Sequence, residues 1–466
     1  MLDDGPAFKM DKQLKKFGKV LIANRGEIAL RAVKTARKLG IQSLAVYSTA
    51  DRSSQHVLQA DEAICIGPAA SSESYLVKDA IIHATLQSKC DAIYPGYGFL
   101  SENAEFADLC ETNNIKFIGP TANSIRQMGD KSTAREIAKT ANVPVVPGSE
   151  GAYDDGGSAM LATKSMEYPL LLKARAGGGG RGMQVVENEA DFVNAFQRCR
   201  AEAKNAFGDA HIYIEKYFKK IRHLEVQILG DGQGNAIALG ERDCSVQRRH
   251  QKLIEEAPAA ILNAKIRKKL HKTAEMLATE VNYEGAGTVE FIYDPERLEF
   301  FFIEMNTRIQ VEHTVTEMLT GIDLVEAQFT IAQGAPLNTV LPGLRNSGHA
   351  IEFRINAEDW EKNFTPSPGK LSKWSLPKLP GVRIDTAAYE DYYVVPFYDS
   401  MIAKLIVHAD SRESAISKAK DALKVFTIGG VKTTAGFHEK MLNHQAFLEN
   451  NISTRWVDEV FLRSNE

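Results

Sequence analysis

The chain has 466 residues, of which 44% are hydrophobic and 25% are charged, and its formal net charge is -4. This length exceeds what a single hydrophobic core usually supports, so we expect two or three domains. The composition excludes a disordered chain, and the small net charge excludes a general attraction to nucleic acid or anionic membranes. Any phosphate must therefore be bound by local basic groups.

The N-terminus and the cysteines indicate the cellular compartment of the protein. Residues 1–17 lack the apolar core of a signal peptide, and no stretch approaches the roughly 20 apolar residues of a membrane span. We expect 1–17 to be a flexible extension, within which Met10 could be the natural start. Five widely spaced cysteines form no C-x-x-C pair and indicate a reducing compartment. The prediction is a cytoplasmic protein with no membrane or nucleic-acid partner.

An α/β layer is predicted for residues 18–130. An apolar run leads into a turn at Gly26 and then into a helical pattern that Gly40 ends. Further strands are predicted at 41–47, 92–94 and 116–118, which favours a parallel sheet. The turn sequence N-R-G-E lacks the glycine spacing of a dinucleotide site, so a dehydrogenase is a poor alternative.

A smaller α+β unit with a glycine-rich hairpin is predicted for residues 145–217. Strands at 169–174 and 183–186 flank the run 177–182, and a long polar helix covers 189–205. The glycines match G-x-G-x-x-G, but a strand follows instead of a helix, and no G-K-[ST] ends the run. Such a hairpin can close its backbone N–H groups over phosphates, and an exposed flexible hairpin is the alternative.

Basic residues favour the phosphate interpretation. Lys173 ends an apolar strand, where a lone ammonium is unfavourable unless it meets an anion, although a solvated lysine is the ordinary alternative. The run 247–252 adds further basic and titratable groups, although such a run usually lies on a solvated surface. Because interleaved aromatics are absent from that run, phosphate contact is favoured there over nucleic acid.

A metal site is predicted on a β-hairpin. The segments 287–293 and 300–305 flank the turn sequence D-P-E-R, so we expect them to pair as antiparallel strands. Counting from that turn places Glu290 and Glu304 opposite or diagonal to each other on one face. Two buried carboxylates would repel. Mg²⁺ or Mn²⁺, with the added amide of Asn306, would resolve this repulsion, and solvent-facing glutamates are the weaker alternative.

The segment that follows carries alternating polar groups. If it is extended, Arg308, Gln310 and Glu312 share one face. Arginine matches a planar oxyanion through its fork of donors, and a nearby carboxylate can take a proton from a weakly acidic substrate. Taken alone, the pattern is more often an ordinary half-buried strand.

Six motifs together resemble the biotin carboxylase family of the ATP-grasp superfamily, over nearly all of the chain from Lys19. They are K-V-L-I-A-N-R-G-E-I-A at 19–29, Y-P-G-Y-G-F-L-S-E-N at 94–103, G-D-K at 129–131, K-A-R-A-G-G-G-G-R-G-M at 173–183, R-D-C-S-V-Q-R-R-H-Q-K at 242–252 and E-M-N-T-R-I-Q-V-E-H at 304–313. The resemblance implies an α/β and α+β multidomain fold. Its parts are a Rossmann-like α/β layer at 18–130, an ATP-grasp lid at 145–217, a catalytic part at 218–349 and a biotin carboxylase C-terminal domain at 350–466.

The resemblance also implies the reaction. ATP phosphorylates bicarbonate to carboxyphosphate, which breaks down to phosphate and CO2, and CO2 then carboxylates the ureido nitrogen of biotin. Nucleotide contacts are implied for Lys131, Lys173, Gly179, Gly180, Glu215, Lys216, Tyr217, Phe218, His223, Gln247, His250, Lys252, Glu290 and Glu304.

Metal and catalytic roles follow from the same motifs. Two sites for Mg²⁺ or Mn²⁺ are implied at Glu290, Glu304 and Asn306. A bicarbonate cradle is implied at Arg308, Gln310 and the backbone of Val311. Glu312 is implied to be the general base that deprotonates bicarbonate, and Arg354 is implied to stabilise the enolate of biotin. The thiol of Cys244 lies inside a matched motif and is predicted to be a small buried side chain instead of a base.

The expected partners depend on what the chain lacks. No A-M-K-M-type biotin attachment sequence is found and no carrier domain follows residue 466, so we expect biotin on a separate carrier protein. The resemblance implies a homodimer that works with carboxyltransferase subunits. The simplest interpretation is the biotin carboxylase subunit of acetyl-CoA carboxylase, which makes malonyl-CoA for fatty acid synthesis. Alternatives are the same half-reaction for a pyruvate, propionyl-CoA or urea carboxylase, and more remotely a non-catalytic nucleotide-binding regulator.

Overall fold

The computed structural model describes residues 15–149, 151–175 and 182–463. The predicted phosphate contacts at Gly179 and Gly180 lie outside the described residues, as do the first 14 residues of the predicted extension. Among the described residues, no helix combines the length and the apolar character needed to cross a membrane.

The chain forms two compact units. One consists of the residues up to Val143, together with Arg222–Ile292 and the residues from Glu304 onward. The other consists of Pro144–Ile221 and Tyr293–Ile303. The second unit takes in the segment predicted as the lid, and the four predicted domain boundaries stay a prediction.

The N-terminal part is a parallel sheet with helices between its strands. Its elements are β1 Lys19–Ile22, α1 Gly26–Lys38, β2 Gln42–Ser48, α2 Gln55–Gln59, β3 Glu62–Gly67, α3 Lys78–Gln87, β4 Ala92–Tyr94, α4 Ala104–Thr112, β5 Lys116–Phe117, α5 Ala122–Gly129 and α6 Lys131–Thr140. The strand order is β3-β2-β1-β4-β5, and the ladders are parallel. This confirms the predicted α/β layer. Strand β3 was not predicted, because its partly exposed residues form no long apolar run.

Local sequence explains the first strand–helix unit. Strand β1 is central and almost wholly buried, as expected when helices cover both faces of a parallel sheet. Helix α1 buries Ile28, Ala32 and Val33. Just beyond it, Gly40 adopts a φ of 70°, a left-handed conformation that glycine tolerates without strain.

The second unit is a small three-stranded sheet with two helices. Its elements are α7 Gly156–Ala162, β6 Leu170–Ala174, β7 Met183–Val186, α8 Glu189–Phe207 and β8 Ile212–Lys216. Strand β6 pairs antiparallel with both β7 and β8. The predicted strand–glycines–strand arrangement is therefore confirmed on both sides of the glycine run. The predicted polar helix is also confirmed, and the side chain of Asn188 caps it by accepting from the backbone N–H of Asp191.

The central part contains long strands and the predicted hairpin. Its elements are β9 Arg222–Asp231, β10 Ala236–Arg248, β11 Gln251–Ala257, α9 Ala264–Glu280, β12 Glu284–Asp294, β13 Glu299–Asn306, α10 His313–Thr320, α11 Leu324–Ala332 and α12 Leu337–Val340. Strands β12 and β13 are neighbours in the sheet, which confirms the hairpin. Asp294 Oδ1 accepts from the backbone N–H groups of Glu296 and Arg297, so the turn residues act as their sequence predicts.

The C-terminal part completes the large sheet. Its elements are β14 His349–Asn356, β15 Glu358–Asp359, β16 Thr365–Pro366, β17 Gly369–Lys370, β18 Lys373–Ser375, β19 Val382–Asp385, β20 Tyr393–Val394, β21 Met401–Ala409, α13 Arg412–Val425, β22 Thr427–Gly429, α14 Ala435–Met441 and α15 Gln445–Leu448. The eight-stranded order is β13-β12-β9-β10-β11-β14-β21-β19. The sheet therefore runs from the predicted metal hairpin to the C-terminal part without a break.

Alternation along β14 orients the residues of the site. Ile351, Phe353 and Ile355 belong to the hydrophobic core of the C-terminal part. Glu352 and Arg354 lie between them and so point to the opposite face, since successive side chains of a strand alternate. That face is the one covered by α10, whose Val315 packs with Ala350 and Ile406.

Candidate active site

Lys252 lies where three carboxylates meet. Its Nζ is 2.7 Å from Glu312 Oε1, 2.6 Å from Glu225 Oε2 and 3.3 Å from Glu290 Oε1. Burial alone would lower the pKa of Lys252, but the three carboxylates raise it well above its ordinary value. Lys252 is therefore a fixed positive charge at the centre of the cluster.

The segment whose polar residues would share one face if it were extended is a loop. Residues 307–312 form bends and a turn after β13, and Glu312 is the residue that precedes α10. The extended conformation that would place Arg308, Gln310 and Glu312 on one face is therefore not adopted. Glu102 Oε1 accepts from the N–H of Thr307 at 3.0 Å, and Glu102 Oε2 accepts from Arg308 Nε at 2.8 Å. The loop still brings Gln310 Nε2 to within 2.7 Å of Glu290 Oε1.

Glu312 is held between two cations. Lys252 donates to its Oε1, and Arg354 Nη2 donates to its Oε2 at 2.9 Å. Only 2% of Glu312 is exposed. Burial alone would raise its pKa, but Lys252 and Arg354 hold the pKa well below its ordinary value. Glu312 is therefore an ionised carboxylate with both oxygens in contact with a donor.

The two predicted metal carboxylates differ in how far nearby cations balance their charge. Burial alone would raise the pKa of Glu290, but Lys252 and His223 hold it well below its ordinary value. Burial, and then the charge of Glu290, raise the pKa of half-buried Glu304. Carboxylate oxygens suit Mg²⁺, which usually takes one or two carboxylates together with phosphate oxygens. Asn306 is less available, because its Nδ2 donates to Glu290 at 2.9 Å and its Oδ1 accepts from Arg308 at 2.9 Å. Glu290 is engaged as well, because its Oε1 accepts from Gln310 at 2.7 Å and its Oε2 is 3.0 Å from His223 Nε2. A cation at Glu290 and Glu304 would therefore have to take the place of such donors, and Asn306 would first have to release Arg308.

The remaining predicted residues of this unit differ in their exposure. His223 Nε2 is 3.0 Å from Glu290 Oε2, so it contacts a predicted metal carboxylate. Gln247 is buried opposite Lys252 in the β10–β11 ladder, and His250 is exposed in the tight turn between these strands. Lys131 is exposed at the start of α6. Their roles toward a nucleotide stay a prediction.

Two further predicted residues are tied to strands β14 and β21. Arg354 donates through Nε to Glu255 Oε1 at 2.7 Å as well as to Glu312. The carbonyl of Val311 accepts from Lys404 Nζ at 2.8 Å, which leaves the N–H of Val311 as the backbone group that could meet an anion. The structure therefore brings Arg354 and Gln310 into the same cluster as Lys252.

In the second unit, the predicted nucleotide residues form their own contacts. Lys173 Nζ is 2.9 Å from Glu215 Oε2, across the β6–β8 ladder. Lys216 Nζ pairs with Glu167 at 2.9 Å. The ring of Phe218 packs on that of Phe301, with centroids 5.2 Å apart. The backbone N–H of Tyr217 donates to the carbonyl of Pro169.

Sequence reasoning missed Arg242, which links the cluster together. None of Arg242 is exposed, and its guanidinium donates to side chains of β9, β12, α10 and the loop 307–312. Its partners are Glu225 Oε1 at 2.5 Å, Gln227 Oε1 at 2.7 Å, Gln310 Oε1 at 2.9 Å, Thr316 Oγ1 at 3.0 Å and Thr288 Oγ1 at 3.1 Å. The sequence signal that could have indicated Arg242 was its position inside a matched motif and a β-rich segment. Its partners could not be found from spacing, since they come from distant segments.

Two other sets of titratable groups have metal-like spacing. One is His223, Glu225 and Glu290, and the other is Glu225, Cys244 and Glu312. Both share Glu225, whose two oxygens already accept from Arg242 and Lys252, so these protein cations occupy the position of an ion. Burial also raises the pKa of Cys244 well above its ordinary value. The thiol stays protonated, in keeping with the predicted buried side chain.

Comparison with known proteins gives consistent matches over almost the whole chain. Three family descriptions match: "Biotin carboxylase, N-terminal domain" at 16–125, "Carbamoyl-phosphate synthase L chain, ATP binding domain" at 130–340 and "Biotin carboxylase C-terminal domain" at 352–459. The biotin carboxylase of Nostoc sp. is 52% identical over 445 residues, which cover 96% of this chain and 99% of that protein.

Solved structures agree with the sequence matches. A biotin carboxylase complex with βγ-ATP from Campylobacter jejuni is 50% identical, with a TM-score of 0.88 over 95% of this chain and 99% of that one. The biotin carboxylase domain dimer of the Hydrogenobacter thermophilus 2-oxoglutarate carboxylase, solved with MgADP, ADP and bicarbonate, is 45% identical. Its TM-score is 0.85 over 95% of this chain and 97% of that one.

The large sheet with its buried carboxylates, and the matched ATP-binding domain, define an enzyme of the ATP-grasp class, an ATP-dependent ligase. Within that class, the chain belongs to the biotin carboxylase family. The predicted fold class and family are both confirmed.

Proposed function

We propose that this chain uses MgATP and bicarbonate to carboxylate biotin that is attached to a separate carrier protein. The observation that carries the proposal is Glu312, an ionised and buried carboxylate held between Lys252 and Arg354. An ionised carboxylate can accept a proton, and the two cations beside it can attract anionic substrates. This combination suits a reaction that joins two anions after removing a proton from one of them.

The depressed pKa of Glu312 has a consequence for the first step. A carboxylate bound by two cations is a weak base, so it takes a proton readily only after those cations have partly turned to other anions. Bicarbonate and the phosphates of ATP are such anions. We infer that substrate binding draws Lys252 partly toward the substrates and so raises the proton affinity of Glu312 at the moment when the proton must leave bicarbonate.

The residues around this base give bicarbonate and biotin defined surroundings. Arg308, Gln310 and the N–H of Val311 are proposed to hold bicarbonate by its planar oxygens. Arg354 is proposed to stabilise negative charge on the ureido oxygen of biotin. These donors are mostly buried, which strengthens each of them relative to the same contact in water.

Glu290 and Glu304 are proposed to hold Mg²⁺ or Mn²⁺, which would offset phosphate charge during phosphoryl transfer. Asn306 is proposed as a further ligand once it releases Arg308. The other predicted nucleotide residues, which include Lys131, Lys173 and His250, are proposed to contact ATP.

The partners and setting are also proposals. We propose a homodimer in the cytoplasm that receives biotin from a biotin carboxyl carrier protein and passes it to carboxyltransferase subunits. Acetyl-CoA carboxylase is the proposed complex, with malonyl-CoA as its product for fatty acid synthesis. The relative from a 2-oxoglutarate carboxylase supports the view that one such domain can serve different acceptors.

The central test is ATP turnover by the purified chain with free biotin, with and without bicarbonate. The expected result is ADP release that requires bicarbonate and rises with biotin. Turnover without dependence on bicarbonate would overturn the proposed chemistry. A matched pair of variants sharpens the test: Glu312→Gln should lose the turnover, whereas Glu111→Gln, an exposed carboxylate on α4, should keep it.

The acceptor requires a separate experiment. The tagged chain would be captured from its own cells, and the biotinylated protein and carboxyltransferase that accompany it would be identified by mass spectrometry. Malonyl-CoA formation by the captured assembly from acetyl-CoA is expected. Carboxylation of pyruvate, propionyl-CoA or urea instead would assign the chain to the corresponding alternative.

A further inference from the structure

Two buried carboxyl groups face each other next to Arg354. Glu255 on β11 and Glu352 on β14 are directly opposite in the antiparallel ladder, and neither is exposed at all. Side chains in such positions have Cβ atoms only about 5 Å apart. Glu255 Oε2 and Glu352 Oε1 have no hydrogen-bond partner among the described residues. Two ionised carboxylates in this arrangement would repel strongly, so the pair requires a proton.

The two carboxyl groups have unequal surroundings. Glu255 Oε1 accepts a charged hydrogen bond from Arg354 Nε at 2.7 Å. Glu352 has a neutral partner, the hydroxyl of Thr314, at its Oε2. Lys404 is the cation that lowers the pKa of Glu352 most. Its Nζ, however, contacts Glu27 Oε1 at 2.9 Å and donates to the carbonyl of Val311. The ionic hydrogen bond favours the ionised form of Glu255 more strongly than the hydroxyl favours that of Glu352, so a single proton resides more readily on Glu352.

The protonation of the pair follows from these surroundings. Burial raises the pKa of Glu255 to about 7, in opposition to Arg354, which lowers it. Burial also raises the pKa of Glu352 well above its ordinary value, because Lys404 compensates only in part. The charged and titratable groups that face the pair are Cys244 of β10, Lys252 of β11, Glu312 before α10, Arg354 of β14 and Lys404 of β21.

Arg354 has two carboxylate partners, and the proposed reaction removes the charge from one of them. Its Nη2 donates to Glu312, and its Nε donates to Glu255. When Glu312 takes the proton of bicarbonate, its attraction for Arg354 weakens. Only Glu255 then holds the guanidinium by an ionic hydrogen bond.

On the basis of the proposed function, we propose that Glu255 and Glu352 share one proton, which resides on Glu352. Ionised Glu255 is then a positioning residue that keeps Arg354 in place while Glu312 is protonated. No proton of the pair moves during the reaction: the proton of bicarbonate goes to Glu312, and the pair supplies a constant single negative charge. Turnover should therefore fall in acid, because acid protonates Glu255 and leaves Arg354 without its second ionised partner.

The test compares Glu255→Gln and Glu352→Gln in the full chain, with Glu111→Gln as a matched control. Glutamine resembles a neutral carboxyl group in size. At pH 8, biotin-dependent turnover should fall about ten- to hundredfold in Glu255→Gln, the loss typical of a charged hydrogen bond, and less than about threefold in Glu352→Gln. The loss in Glu255→Gln should appear in kcat and in the KM for biotin, with the KM for ATP preserved.

The pH profile separates a positioning role from a merely structural one. Wild-type turnover should decline as the pH falls through about 7, where Glu255 gains its proton. Because Glu255→Gln resembles that protonated form at every pH, its turnover should approach the wild-type value below this pH. A ratio of wild type to Glu255→Gln that stays constant between acid and alkaline pH would overturn the proposal. An equal loss in Glu352→Gln at pH 8 would overturn it as well.

A measurement without substrates separates this inference from the proposed function. Infrared difference spectroscopy at pH 8 detects the carbonyl stretch of a protonated carboxyl group. We expect a band that persists in Glu255→Gln and disappears in Glu352→Gln. Its absence from the wild-type protein would refute the shared proton even if turnover is normal. Its presence without any bicarbonate-dependent turnover would refute the proposed reaction and leave the shared proton intact.

Discussion

Replacing Glu312 by glutamine removes one negative charge from the centre of the cluster and keeps the size of the side chain. A proton acceptor of this kind contributes about 10² to 10⁴ in rate, so bicarbonate-dependent turnover should fall by that factor. Glu290, Glu304 and Lys173 are unchanged, so the affinity for MgATP should stay within a few fold of the wild-type value. The variant therefore separates nucleotide binding from chemistry.

The structure also gives the expected change in stability. Removing one partner of a buried ion pair costs about 3–5 kcal/mol when the other charge is left alone. Here Lys252 keeps Glu225 at 2.6 Å, and Arg354 keeps Glu255 at 2.7 Å. The loss should therefore be nearer the roughly 1.5–3 kcal/mol of a single charged hydrogen bond.

That loss should depend on pH in a defined direction. The folded protein holds the pKa of Glu312 well below its ordinary value of 4.5. Its ionised form therefore stabilises the fold above about pH 4.5, and this contribution disappears as the pH falls through the lower folded value. The difference in unfolding free energy between wild type and Glu312→Gln should be full at pH 7 and should shrink in acid.

The assays are ATP turnover with biotin and bicarbonate, calorimetric titration with MgATP, and urea unfolding at several pH values. Glu111→Gln is the control for loss of an exposed carboxylate. Near-normal turnover of Glu312→Gln would refute its assignment as the base. A stability difference that grows in acid would refute the depressed pKa, and weak binding of MgATP would show that the variant damages the nucleotide site as well.

Three further predictions address the metal, the nucleotide and the thiols. Glu304→Gln should raise the Mg²⁺ concentration needed for half-maximal turnover by about tenfold or more, because it removes a charged ligand; an unchanged Mg²⁺ dependence would refute its role. Lys173→Met should weaken ATP binding by about tenfold, measured by calorimetric titration, since it removes a charged donor to phosphate; unaltered affinity would refute that contact. In the native protein a thiol reagent at pH 8 should react rapidly with Cys65 alone of the five cysteines, because the other four are buried. Rapid modification of Cys244 would contradict its buried, protonated state.

The local fold could be predicted from the sequence where short-range rules apply. The strand and helix around Gly26, the strands on both sides of the glycine run and the hairpin turn at Asp294 all follow from residue periodicity and turn chemistry. The loop at Arg308 could not be predicted in this way. Its alternating residues fit a strand, but the N–H of Thr307 donates to Glu102, which lies about two hundred residues earlier in the chain.

The sequence by itself determined the family and most of the helices and strands, because motifs and periodicity are local properties. Only the tertiary structure decided which charges meet. Lys252 pairs with Glu312, 60 residues away, and Arg354 pairs with Glu255, 99 residues away. These pairs depend on strand order and register in the large sheet, where one residue of slip would turn each side chain to the other face. For that reason Arg242, Glu255 and Glu352 could be recognised only after the sheet was known.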